Sequence, residues 1–124
     1  MARLFGLIWV IVVLLLSGCA EPITAQSAHF KVGMSLEQFG IGKRPITITV
    51  HDLDGSPVDS ATVTLLPVMR QHGMLAPPRT VQATDSGTYL FPEMNLDMSG
   101  EWQMQITITD DSVTDMIEIP VLIE

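Results

Sequence analysis

The chain has 124 residues, 14 acidic against six basic, a formal charge of −8 and 47% hydrophobic residues. That length accommodates one core rather than several, and the acidic balance excludes a nucleic-acid binder, which needs a basic footprint. A single cysteine excludes a disulfide framework.

In chain order, Arg3 is followed by the apolar run "LFGLIWVIVVLLL", the charged head and hydrophobic centre of a secretory signal. The run falls short of the ~20 residues of a comfortable membrane span. The next residues, "LSGC" from Leu16 to Cys19, resemble the bacterial lipobox. The resemblance implies that residues 1–18 are a signal peptide, that cleavage falls before Cys19, and that Cys19 is lipidated. Ala20 is not the aspartate associated with inner-membrane retention. The periplasmic face of the outer membrane is therefore expected if the cell is Gram-negative. Cleavage would remove Arg3, leaving five basic and 14 acidic residues and a formal charge of −9.

Residues 19–29, with "AEPITAQSAH", read as a flexible tether, and residues 30–124 as the folded domain. "FKVGMSLEQ" alternates loosely. "ITITVHDLDG" places Ile46, Ile48 and Val50 on one face, with Thr47, Thr49 and His51 on the other. Strict alternation of β-branched residues predicts a strand. Gly55 and Pro57 mark a turn. "ATVTLLPV" predicts a strand whose Pro67 suggests an edge or an exit. A loop of about 18 residues is expected from Met69 to Ser86, a length often reserved for function. "GTYLFPEM" is expected to break at Pro92, and "EWQMQITITD" aligns Trp102, Met104, Ile106 and Ile108 on one face. The last strand, from Val113, is expected to be interrupted at Pro120. Met34, Met104 and Met116 are expected in the core. The whole predicts an all-β, single immunoglobulin-like antiparallel sandwich of six or seven strands without a disulfide.

The pieces from Ile46 to Ile108 resemble the YtkA-like domain family of small extracytoplasmic β-sandwiches. The features in common are the acidic-Gly turn with "SPV", the "ATV" strand opening, a Met/His/Gly cluster, "GTY", and "SGEW" before an alternating strand. The resemblance implies an association with copper insertion into a respiratory oxidase, as in FixH-type relatives, or with heavy-metal efflux adaptors. The family's denser Met-x-x-Met-x-His cluster is thinned here to Met69, His72 and Met74.

That cluster is the candidate site. Thioethers and imidazole suit Cu(I), and a thioether needs no deprotonation to bind. Met69, His72 and Met74 offer two sulfurs and one nitrogen. Met94 and Met98 are further candidate ligands, and Trp102 a candidate cap over the metal. The competing reading makes these methionines core filler and Trp102 a sandwich-core residue. His51 reads as solvated, and His29 as a stray ligand or nothing. "DLDG" lacks the later glutamate of a calcium loop. "TDSG" resembles an aspartic-protease turn, in a chain too small for that enzyme. No nucleophile elbow appears, so no enzyme activity is expected. Two functions stay open. One is a lipid-anchored copper or soft-metal binder, held to the membrane by its N-terminal lipid and serving a metal transporter, efflux adaptor or oxidase. The other is a structural or protein-interaction module of the cell envelope.

Overall fold

The computed structural model describes residues 22–36 and 41–123. Cys19 and the signal-like segment lie outside the described residues. Among these, nine strands form: β1 (Ile23–Gln26), β2 (Phe30–Leu36), β3 (Gly42–Asp52), β4 (Thr62–Met69), β5 (Met74–Leu75), β6 (Arg79–Gln82), β7 (Thr88–Leu96), β8 (Gly100–Asp110) and β9 (Val113–Ile123). They build two antiparallel sheets. The first runs β1-β2-β3-β7. In the second, β4, β8 and β9 lie side by side, and β5 and β6 pair in succession with the other edge of β4. The all-β sandwich expectation holds, with more strands than the sequence suggests.

Period-two alternation supplies the core. Ile46, Ile48 and Val50 of β3 and Trp102, Met104, Ile106 and Ile108 of β8 are all buried between the sheets. Met34 joins them, but Met116 does not. On β9 the inward phase belongs to Asp115, Ile117, Ile119, Val121 and Ile123, which turns Met116 to solvent. Tyr89 is buried beside Phe91 and donates its hydroxyl to the Val58 carbonyl at 2.7 Å. Burial pushes its phenol above the ordinary value.

The prolines expected to interrupt strands, Pro92 and Pro120, and Pro67, expected at an edge or exit, are all absorbed within strands. Pro92 and Glu93 stand opposite Pro45 alone, because the β3–β7 register moves from Ile46–Phe91 to Arg44–Met94. This two-against-one bulge gathers two residues that lack N–H groups, and it resets the phase so that Met94 and Leu96 point inward. Pro120 sits on β9, an edge strand, where a missing donor is tolerated. Pro67 lies within β4, paired with Met104 on one side and approached by Ala76 on the other. Its carbonyl accepts from the Ala76 N–H at 3.0 Å, so its own nitrogen also faces the gap between β5 and β6. The β4–β8 ladder therefore needs no donor from it.

Part of the span expected as a tether, residues 19–29, is a strand. Ile23 to Gln26 pair with Met34 to Lys31 as β1. After β1 the chain is clasped to the second sheet. Asp115 accepts from Ser27 Oγ at 2.6 Å, from the His29 amide at 2.9 Å, and bonds His29 Nδ1 at 2.9 Å. These contacts, the Ser27 hydroxyl foremost, hold the Asp115 carboxyl below its ordinary value despite the opposing effect of burial. A lowered native value means stability present above the ordinary carboxylate pKa of about 3.9 and lost as pH falls through the lowered one. Asp115→Asn is expected to reduce stability at neutral pH by about 1–3 kcal/mol and to flatten its acid dependence. Urea unfolding across acidic pH checks this, and a variant with the wild-type acid profile would refute it.

Candidate functional site

The segment expected as one long loop is built differently. Met69 ends β4 and Met74 begins β5, and the two are direct cross-strand partners. Only residues 70–73 separate them. Arg70–His72 form one 3₁₀ turn, and Gly73 closes it at φ 62°, donating its amide to the Arg70 carbonyl at 3.2 Å. A left-handed residue there suits glycine, which has no Cβ to clash. A four-residue hairpin therefore carries His72 near its tip and a pair of methionines at its base. Arg70 pins the turn to the outer face of the second sheet. Its guanidinium donates to Glu118 at 2.7 Å, and Glu118 also accepts from Gln105 at 3.0 Å. This pair is solvent-exposed and positions more than it stabilises.

Directly opposite residues in an antiparallel pair share a face. Met69 is fully buried, 0% exposed, while Met74 at the sheet edge is 39% exposed. One register step beyond the Val68–Gln103 pair stand Met69 and Trp102, and Trp102 pairs with Val121. The row Met74, Met69, Trp102, Val121 thus crosses the second sheet on its inner face, with neighbouring strands ~4.8 Å apart. The Met69 methyl lies against Gly100, where an added Cβ would approach it to 3.2 Å. Gly100 is therefore the space into which Met69 extends. Trp102 is itself a buried core residue whose indole N–H donates to the Met98 carbonyl at 3.0 Å.

The five candidate ligands are thus only partly gathered. Met69 and Met74 are neighbours, His72 is exposed on the turn between them, and Met98 packs against the core near Trp102. Met94 is separate. It is buried under a cleft of about 350 Å³ lined also by Thr80, Val81 and Phe91. Thr80 and Val81 pair with Thr64 and Val63, well down β4 from Met69. Among the described residues no three His, Cys, Asp or Glu side chains gather as a metal-holding group. The donors grouped at this end are thioethers with one imidazole.

Two features escaped the sequence. One is the Ser27–His29–Asp115 clasp, whose partners lie 88 and 86 residues apart along the chain. The other is a groove of about 530 Å³ on the outer face of the first sheet, floored by Gly33. A Cβ at Gly33 would come within 2.7 Å of Thr49 Oγ1. Neither has a sequence signal, because each depends on strand register.

Fold and site together define a small antiparallel β-sandwich with a methionine-paired hairpin at one end. A family model for YtkA-like proteins matches residues 24–107, more than half of the chain, and the chain belongs to that family. The match reaches β1 and β2, beyond the Ile46–Ile108 stretch that carries the sequence resemblance. No curated protein matches the chain. Membership of the family suggests an extracytoplasmic module.

Proposed function

We propose that this chain is a membrane-anchored extracytoplasmic protein that binds Cu(I), or a related soft metal, and assists its delivery to a membrane complex. The observation that carries the reading is the cross-strand pairing of Met69 with Met74 across a turn bearing His72. The two methionines stand opposite each other across the strand pair, and His72 sits on the turn that joins them. Soft, uncharged donors of this kind select Cu(I) over harder ions, and the thioethers bind without losing a proton. The exposure of His72 and Met74 leaves one side open, as exchange with a partner requires. Met98 is a further donor within the same end of the sandwich; Met94 takes no part. Lipidation at Cys19 would hold the site beside the membrane that houses metal transporters, efflux adaptors and oxidases.

The test is a Cu(I) titration of residues 22–124 under reducing conditions against a competing chelator. Binding of one equivalent, tighter than micromolar, is expected. Binding weaker than that would favour the other reading, a protein-interaction module of the envelope that uses the same hairpin and sheet edges without metal.

A further inference from the structure

The two sheets differ in what their outer faces do with polar side chains. On the second sheet these side chains bond one another. Thr64 meets Thr80 at 2.8 Å, Thr109 meets Thr114 at 3.4 Å, and Glu118 accepts from Arg70 and Gln105 at 2.7 and 3.0 Å. On the first sheet the side chains of Thr24, Gln26, Lys31, Thr49 and His51 form no hydrogen bond or ion pair with another described residue. These five surround the groove of about 530 Å³ over Gly33. That volume lies within the ~300–1,000 Å³ of small-ligand sites.

Glycine weakens a strand interior, and where no bend requires it, it marks a close approach to the backbone. Gly33 lies within β2 and is not among the glycines of positive φ. Its backbone would accept any residue; the space above it would not, since a Cβ would stand 2.7 Å from Thr49 Oγ1. Thr49 is its partner on one side and Thr24 on the other. The next outward pair along β2 and β3 is Lys31 with His51, directly opposite each other, their Cβ atoms about 5 Å apart. An ammonium and a ring N–H therefore border one end of a floor flanked by two threonine hydroxyls. Charge is sorted in the same sense. Among the described residues, the outward positions of β1, β2 and β3 carry Lys31, Lys43 and His51 and no carboxylate, in a chain of formal charge −8. Asp52 and Asp54 follow His51, but Asp52 takes the inward phase opposite Phe30, and its Oδ1 accepts the Asp54 and Ser56 amides, each at 3.0 Å. We propose that the groove binds a small organic anion, its carboxylate or phosphate held between Lys31 and His51 and its hydroxylated body laid over Gly33 against Thr24 and Thr49. The lysine supplies a charge-assisted hydrogen bond, and the imidazole donates an N–H in either protonation state. The site is on the other sheet from the Met69–Met74 hairpin, and neither depends on the other.

The experiment uses the full chain, isotope-labelled and held in a neutral detergent, with backbone amide shifts followed as glycerate, glycerol phosphate or glycerol is added. At least one of the two anions is expected to saturate in the millimolar range or below. It should move the amides of Lys31, Gly33, Thr49 and His51 ahead of all others, while neutral glycerol moves none of them. Which anion binds more tightly decides between carboxylate and phosphate. Lys31→Gln with His51→Gln is expected to weaken binding ~10-fold or more, and the spread of its amide shifts reports that the fold is kept. Lys43→Gln alters a cation of the same face outside the groove and should bind as wild type does. Neither anion saturating, or glycerol moving the same amides equally, would overturn the site. So would a loss in Lys43→Gln as large as in the groove variant, because binding would then follow overall charge. None of these outcomes bears on the copper titration.

Discussion

Trp102→Ala is expected to destabilise the domain by about 3–5 kcal/mol, the range for removing a large aromatic from a packed core. The indole is 1% exposed, lies between Met69 and Val121 across the sheet, and satisfies the Met98 carbonyl. Alanine leaves a cavity and orphans that carbonyl, and the connection between β7 and β8 loses this tie to β8. Small domains have a total stability of about 5–15 kcal/mol, so the loss is a large part of the whole. Thermal unfolding should show it plainly, at about 4–8 °C for each kcal/mol in a domain of this size. Trp102→Phe keeps most of the volume but not the N–H and should fall between. A Trp102→Ala protein within a few tenths of a kcal/mol of wild type would contradict this packing.

Gly87→Ala is the second large effect. Gly87 has φ 62°, and a Cβ there would sit 2.9 Å from the Val50 carbonyl oxygen and 2.9 Å from the Pro57 Cβ. A left-handed backbone costs an L-residue about 1–2 kcal/mol, and neither obstacle is the far end of a flexible chain. The site is also where three segments are sewn together. Val50 donates to the Gly87 carbonyl at 2.8 Å, Val58 donates to the Val50 carbonyl at 3.0 Å, and Asp59 accepts from the Gly87 amide. Moving any one disturbs the others, so a total of about 2–4 kcal/mol is expected from backbone strain and overpacking together. Chemical denaturation checks it. A neutral Gly87→Ala would show that this junction is looser than the contacts imply.

Legibility in the sequence depends on range. The strands β3 and β8 are legible because Ile46-x-Ile48-x-Val50 and Trp102-x-Met104-x-Ile106-x-Ile108 state their own phase. Met116 departs from the core expectation because its strand places a carboxylate, Asp115, in an inward slot. Ser27 and His29 satisfy that carboxylate from the far end of the chain. Prolines 92 and 120 look like interruptions and Pro67 like an edge or exit, but each one's missing N–H falls at a gap, a bulge or an edge, and only pairing reveals that. β1, β5 and β6 are two to four residues long, too short to carry a periodicity. The hairpin does leave a signal. Four residues ending in glycine between two methionines fit a short hairpin loop, a pattern hidden by reading residues 69–86 as one long loop. Met94 and Met98 cannot be placed from spacing, because the Pro45–Pro92 bulge shifts the phase between Phe91 and Met94.

Whether His72 and Met74, with Met69, hold one soft ion is tested most directly by running the Cu(I) competition titration on wild type and on His72→Ala/Met74→Leu side by side. Both substituted side chains are exposed, so the variant should unfold at nearly the wild-type temperature. One tight equivalent is expected for wild type and an affinity at least ~10-fold weaker for the variant, a lost ligand contact being worth about 1.4 kcal/mol or more. Equal affinity in the two proteins, or no tight copper in either, would contradict the shared site.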